Sequence, residues 1–335
     1  RIKDTESNLI FDYERSEGGQ FTYDSEFAIF TIKAWKDSIV EMKRRKVKKD
    51  KMPKDTIGIF NLKDKSLHKI ANINSYKLPE KWSGFIAYTY DNDTLKENKK
   101  FKDSTQNKKD KKLKKSSSKN GYPLVIRNLE NNKEDTIPFV TNYTFAKEKM
   151  ILSYITTGIK DSIKSGVYVK NLKSNNTKQV FESHNKTKYF KLNLSHSGDN
   201  LAFVIDADST KTYHRPYELY TWNSSLNNAK LVLDKDSSPK GYRVSSDGEI
   251  KFSKDESKLY FGLALPEIIQ DTLLLDEEIV NVEVWTYDEP RLYTIQEKQV
   301  KNDRRKSFQT VFHLKDSKLI QIATKEFPNA LLSNE

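Results

Sequence analysis

The sequence predicts an all-β protein built from repeated four-stranded antiparallel units. Two observations predict it. A ten-residue outline of turn and strand recurs without a gap as "FTYDSEFAIF" (21–30), "FAKEKMILSY" (145–154), "LSHSGDNLAF" (194–203) and "FSKDESKLYF" (252–261). A second motif falls in phase between these copies, as "IGIFNLKDKSLHKI" (57–70), "LVIRNLENNKEDTI" (124–137), "VYVKNLKSNNTKQV" (167–180) and "LYTWNSSLNNAKLV" (219–232).

Each position of the first motif has a physical role. The first is apolar (Phe21, Phe145, Leu194, Phe252) and the second is small (Thr22, Ala146, Ser195, Ser253). The fourth and fifth are polar turn formers, among them Asp24-Ser25, Ser197-Gly198 and Asp255-Glu256. The eighth is apolar (Ala28, Leu152, Leu201, Leu259) and the tenth aromatic (Phe30, Tyr154, Phe203, Phe261). A buried residue thus ends one strand, polar residues turn the chain, and alternating apolar residues start the next. A degenerate fifth copy, "PEKWSGFIAY", begins at Pro79, so copies start at 21, 79, 145, 194 and 252. The second motif adds a strand, a polar turn marked by Asn-Leu (Asn61-Leu62, Asn128-Leu129, Asn171-Leu172), and another strand.

Two strands from each motif make a four-stranded sheet that cannot cover both faces alone. Such units pack face to face as the blades of a β-propeller. About five blades are visible, at 9–73, 74–139, 140–185, 186–240 and 241–326 of one propeller region spanning 1–335. Chance turn-strand pairs in a β-sandwich are the alternative, and ungapped register across four copies weighs against it.

The net charge of +12 is local. Residues 41–54 carry eight basic and two acidic residues, and residues 96–119 carry eleven Lys and three acids, so the two tracts hold +14 and the rest about −2. A nucleic-acid groove interleaves stacking aromatics with its charge, and these tracts contain only Phe101. Both read as solvated loops inserted within the first and second blades, because like charges repel and keep a chain extended. No nucleic-acid or membrane partner is expected. No apolar run reaches the length of a membrane span. With no cysteine, disulfides and thiolate metal sites are excluded. Position 1 is Arg in "RIKDTESNLIFDYE", without initiator Met or signal peptide, so the chain reads as part of something longer.

Catalytic signatures are missing. There is no G-x-S-x-G elbow, phosphate loop or G-x-G-x-x-G. His68, His184, His196, His214 and His313 fall at no metal-ligand spacing. "DND" at 91–93 lacks the later glycine and glutamate of a calcium loop. No catalytic residue, cofactor or metal is expected.

The turn motif resembles the propeller repeats of TolB and of the prolyl oligopeptidase family. One segment, "NVEVWTYDEPRLYTIQEKQVKNDRRKSF" (281–308), narrows this. It is similar to the V-D-[VI]-W-x-[WY]-x-D…Q…R-R segment in propellers of large bacterial serine peptidases of that family, through Val284, Trp285, Tyr287, Asp288, Gln296, Arg304 and Arg305. The aspartate usual before the Val-Trp pair is Glu283 here. The resemblance implies a noncatalytic, size-selecting gate, with an α/β-hydrolase domain expected after Glu335. It also implies an exported, periplasmic or secreted protein, and an open ring of a propeller with seven or eight blades. The alternative is a TolB-like scaffold for protein partners with no hydrolase domain.

On this resemblance Trp285, Asp288, Arg304 and Arg305 are the candidate substrate or interdomain residues. Trp285 and Tyr287 alternate as in a strand, which favours burial between blades, and Asp288 is the expected partner of Arg304 or Arg305. Glu277 and Glu278, beside Asp276 in "DEEIV", have the chemistry to bind a peptide amino terminus, with a solvated loop as the alternative.

Overall fold

In a computed structural model, residues 1–3, 8–48, 51–90, 115–159, 162–183, 187–210, 212–267, 273–275, 277–278 and 286–330 are described. The fold is all-β, of the β-propeller class, with four-stranded antiparallel blades. The chain divides into two compact units, 1–182 and 183–335.

In the first unit a short ribbon of β1 (Ile2–Lys3) and β2 (Ile10–Phe11) precedes one ten-stranded sheet. That sheet comprises β3 (Ser16–Phe21), β4 (Phe27–Ile32), β5 (Asp55–Asn61), β6 (Leu67–Lys77), β7 (Phe85–Tyr90), β8 (Tyr122–Asn128), β9 (Glu134–Phe145), β10 (Ile151–Thr156), β11 (Gly166–Asn171) and β12 (Asn176–Glu182). Its strands pair in chain order, so three blades follow one another. β6 and β9 are long because each is the outer strand of one blade and then the inner strand of the next. β6 pairs β5 up to Ile73 and β7 from Ile73 onward, and β9 passes from β8 to β10 at Val140. Each bends where one residue turns left-handed, Asn72 at φ 60° and Phe139 at φ 53°. Phe in that conformation is uncommon, and Gly121 makes room for it. A Cβ at Gly121 would lie 2.4 Å from the Phe139 carbonyl.

The second unit holds two blades. The fourth blade is β13 (Lys188–Leu194), β14 (Asn200–Asp206), β15 (Tyr217–Asn223) and β16 (Lys230–Leu233). In the fifth, β17 (Arg243–Val244) and β18 (Lys251–Phe252) are two pieces of an inner strand against β19 (Lys258–Ala264), followed by β20 (Phe308–His313) and β21 (Lys318–Gln321).

The blades stack face to face. Phe27 and Ile29 of the first blade pack on Ile86, Tyr88 and Val125 of the second. The opposite face of that second blade, Ala87, Leu124 and Ile126, packs on Leu152 and Tyr154 of the third. In the second unit Ala202 and Val204 meet Leu259 and Phe261. The middle strands are therefore buried on both sides, which is why β7, β10 and β14 read as nearly continuous apolar runs. Each fully buried Ile, Leu or Phe contributes about 1.5–3 kcal/mol.

Turn chemistry explains the repeated letters. The Thr22 hydroxyl accepts from the Phe27 N–H at 3.1 Å, Ser195 from Asn200 at 3.1 Å, and Ser253 from Lys258 at 3.0 Å. Thr22 and Ser253 also donate to Asp24 and Asp255, and the fifth position is left-handed at Ser25, Gly198 and Glu256. The Asn of the second motif caps its own turn. Asn61, Asn128, Asn171 and Asn223 each accept the N–H two residues on. The residue after that Asn ties the two hairpins together, through N–H bonds from Leu62 to Glu26, Leu129 to Gly84, Leu172 to Met150 and Ser224 to Asp199. Leu314 to Ser257 completes the set in the fifth blade.

Neighbouring turns are also joined. In the second unit the Glu256 carboxylate of the fifth blade accepts from the Ser197 N–H, the Ser197 hydroxyl at 2.8 Å and the Asn200 amide at 3.0 Å of the fourth. Burial pushes the Glu256 pKa up, and the hydrogen bonds from Ser197, Ser195 and Asn200 outweigh it and hold the group below its usual value. A carboxylate with a lowered folded pKa stabilises above its unfolded pKa and loses that contribution as pH falls through the folded one. Glu256→Gln is expected to cost about 1–2 kcal/mol at pH 7. In urea melts the gap from wild type should close as pH drops below 4.5, the group's ordinary value. A gap independent of pH would refute the clamp.

Two helices interrupt the blades, and both differ from the expectation. The basic tract 41–54, expected as an extended loop, contributes to α1 (Lys36–Arg44) between β4 and β5. Local pairing overcomes the like-charge repulsion: Asp37 sits in the first turn, Lys43 and Arg44 in the last, and Glu41 pairs with Arg45. The 96–119 tract lies outside the described residues up to 114. The second helix, α2 (Tyr293–Arg304), lies between β19 and β20 and has no buried residue. Among the described residues no helix is long and apolar enough to cross a membrane.

Candidate functional site: a polar groove in the first unit

In the first unit polar side chains of three inner strands line one groove. A cavity of about 440 Å³ is lined by Gln20 of β3, Tyr76 and Lys77 of β6, and Thr144 and Phe145 of β9, with Glu80 and Lys147 at the turns. A second, of about 220 Å³, lies toward the opposite strand ends, where Tyr76 and Ser75 meet Lys33 and Asp55. Tyr76 borders both.

A hydroxyl chain stiffens the wall. Ser75 Oγ lies 2.9 Å from Thr89 Oγ1 and 3.1 Å from the Tyr143 hydroxyl. Burial pushes the Tyr143 phenol up to about 12, against a smaller downward pull from Ser75, so it stays neutral and serves as a hydrogen-bonding post. The Lys77 ammonium donates to the Tyr143 carbonyl at 2.6 Å and lies 5.1 Å from the centroid of its ring. At the opposite end Lys33 holds Asp55 at 2.8 Å and Glu17 at 2.9 Å, and hydrogen bonds to these carboxylates raise its pKa. Lys54 donates to Asn74 Oδ1 at 2.9 Å, while the buried Asn74 amide nitrogen has no partner among the described residues. Ion pairs Lys147–Glu80 (3.0 Å) and Lys81–Glu148 (2.8 Å) close the rim. Such groups are hydrogen-bond donors, acceptors and fixed charges, the chemistry of polar contacts. Among the described residues no group of three His, Asp or Glu side chains is placed to hold a metal.

Among the described residues, those proposed from sequence are not brought together. Trp285, with Val284 and Glu283, lies outside the described residues. Tyr287, expected to be buried in a strand, is fully exposed at 103%. Residues 286–292 form a turn leading into α2, so its spacing from Trp285 does not mark a strand. Asp288 is exposed and makes no ion pair with Arg304 or Arg305. Arg304 ends α2 exposed, and Arg305 approaches Asp247 only at 3.8 Å. The helix is braced instead by Arg291, which bonds Gln299 at 2.6 Å and Asp303 at 2.8 Å. Glu278 closes its own turn, accepting the Leu275 N–H at 2.8 Å, and Glu277 is exposed. The groove residues were missed because Gln20, Lys77 and Thr144 are scattered over three strands. The usable signal was the polar alternation of "INSYK" (73–77) where a strand should alternate with apolar residues.

Fold and groove together define a propeller-type scaffold with a polar groove in its first unit. No family model matches the chain, and no curated protein matches it. Solved structures do. The β-propeller domain of the trilobed protease from Pyrococcus furiosus, described as having an open velcro topology, matches at 12% identity and TM-score 0.38, over 92% of this chain and 84% of that one. The acylaminoacyl peptidase of Pyrococcus horikoshii matches at 11% and 0.40, over 93% of this chain and 39% of its own. A prolyl endopeptidase matches at 8% and 0.48, over 92% and 36%. The chain thus spans less than half the length of those two peptidases. An oligogalacturonate lyase and a hydrazine synthase match as well, each at a TM-score of 0.42.

Proposed function

We propose that the chain is the noncatalytic, substrate-gating propeller of an exported serine peptidase of the prolyl oligopeptidase family, acting on short peptides. The observation that supports this best is the serial run of blades with the Val284-Trp285…Arg304-Arg305 segment placed in the long connection of the fifth. A propeller before a hydrolase domain restricts access by size, so that selection precedes bond cleavage. The polar groove adds orienting contacts to that steric filter.

The test expresses the chain with the coding sequence that follows residue 335. The expected result is serine-reagent-sensitive hydrolysis of short peptides, with folded proteins spared and the present chain alone inert. A stop codon after residue 335, or serine-reagent-sensitive cleavage by this chain alone, overturns the proposal. The stop codon would favour a TolB-like scaffold.

A further inference from the structure

Three of the cations around the groove of the first unit are matched by acids. Lys147 has Glu80, Lys81 has Glu148, and Lys33 has both Asp55 and Glu17. Lys77 has none among the described residues. Its contacts are the neutral carbonyl and ring of Tyr143. Desolvation by its surroundings lowers its pKa, and no neighbouring acid contributes an opposing rise. Lys77 lines the cavity, with its ammonium desolvated against Tyr143.

Two further groups lining the cavity are unused. The Gln20 side-chain amide makes no hydrogen bond among the described residues, and the Thr144 hydroxyl has only a 3.5 Å contact to the Phe145 carbonyl. Tyr76, Leu78 and Phe145 supply apolar wall beside them. A crowded ammonium with no counter-ion gains more from an arriving anion than a paired one does, because the desolvation has already been met.

We propose that this groove binds the carboxylate of a short peptide, with Lys77 as its counter-ion and Gln20 and Thr144 as hydrogen-bonding partners. A single ammonium matches a singly charged carboxylate, whereas phosphate recognition gathers several cations or a fork of donors. A cavity of about 440 Å³ is within the range of small-ligand sites and holds a few residues of extended peptide against the apolar wall. The site requires only the first unit's strands, so it stands or falls independently of the gating proposal.

Calorimetric titration of the chain tests it with four probes: acetyl-tetraalanine as the free acid, the same peptide as its amide, that amide with one internal Glu, and inorganic phosphate. The free acid should bind about tenfold more tightly than the amide. The Glu-containing amide separates a terminal from a side-chain carboxylate, and preferred binding of either acid supports the proposal. Lys77→Met should reduce acid binding to the level of the amide, and Lys77→Arg should retain it. Should Lys77→Met fail to fold by circular dichroism, Gln20→Leu and Thr144→Val carry the test, each weakening acid binding severalfold. Equal binding of acid and amide, binding of phosphate alone, no binding of any carboxylate probe, or acid binding untouched by these substitutions would overturn it.

Discussion

Trp82→Ala is expected to destabilise the first unit by about 3–5 kcal/mol, read from urea unfolding followed by far-UV circular dichroism. Trp82 belongs to the turn that opens the second blade and is 7% exposed. Its ring meets Phe145 edge-on at 5.3 Å and Phe85 at 6.2 Å, and its Nε1–H donates to the Ala146 carbonyl at 2.9 Å. Alanine therefore leaves a cavity and an orphaned acceptor at the junction of two blades, two costs that add. The third blade is also the copy with Ala146 in place of a hydroxyl residue; there the Ile151 N–H is taken by the Lys149 carbonyl, and the Trp82 bond ties the Ala146 carbonyl to the second blade. Trp82→Phe keeps most of the packing and should cost less than half as much. A loss under about 1 kcal/mol for the alanine variant would mean that the ring does not join the blades.

Arg215→Ala is expected to cost the second unit about 3–5 kcal/mol, because it strands a buried charge. The Asp206 side chain is 1% exposed and takes two bonds from Arg215, Nε to Oδ2 at 2.8 Å and Nη2 to Oδ1 at 2.7 Å. The same guanidinium gathers the connection after β14 by donating to the carbonyls of Asp208 and Thr210 at 2.6 Å each. Asp208, held by hydrogen bonds from the Thr210 hydroxyl and N–H and from Thr212, has a pKa lowered to about 2 and stays charged in the same loop. Removing both partners should be milder than removing Arg215 alone, since no unpaired carboxylate remains inside. A double variant less stable than Arg215→Ala would contradict this account.

The parts of the fold that could be read from the sequence are those whose chemistry closes within a few residues. Thr22, Ser195 and Ser253 fix a turn by bonding the N–H five positions on, and Asn61, Asn128 and Asn171 cap turns two positions on. Local closure leaves a periodic trace. Glu256 left none, because its turn also needs an acid-tolerant left-handed residue, and its other partners lie 56 and 59 positions away. The helix at 293–304 left no periodic trace in the sequence, because Arg291, Gln299 and Asp303 stabilise it through contacts that no strand pattern reveals. The candidate site fared worse than the fold. Gln20, Lys77 and Thr144 meet only after three inner strands are aligned, and each is unremarkable in its own neighbourhood.

The first three blades are joined in chain order through β6 and β9, each of which serves two blades. The middle blade cannot unfold without freeing one half of a strand that its neighbour also uses, so opening of one blade is expected to spread to the next.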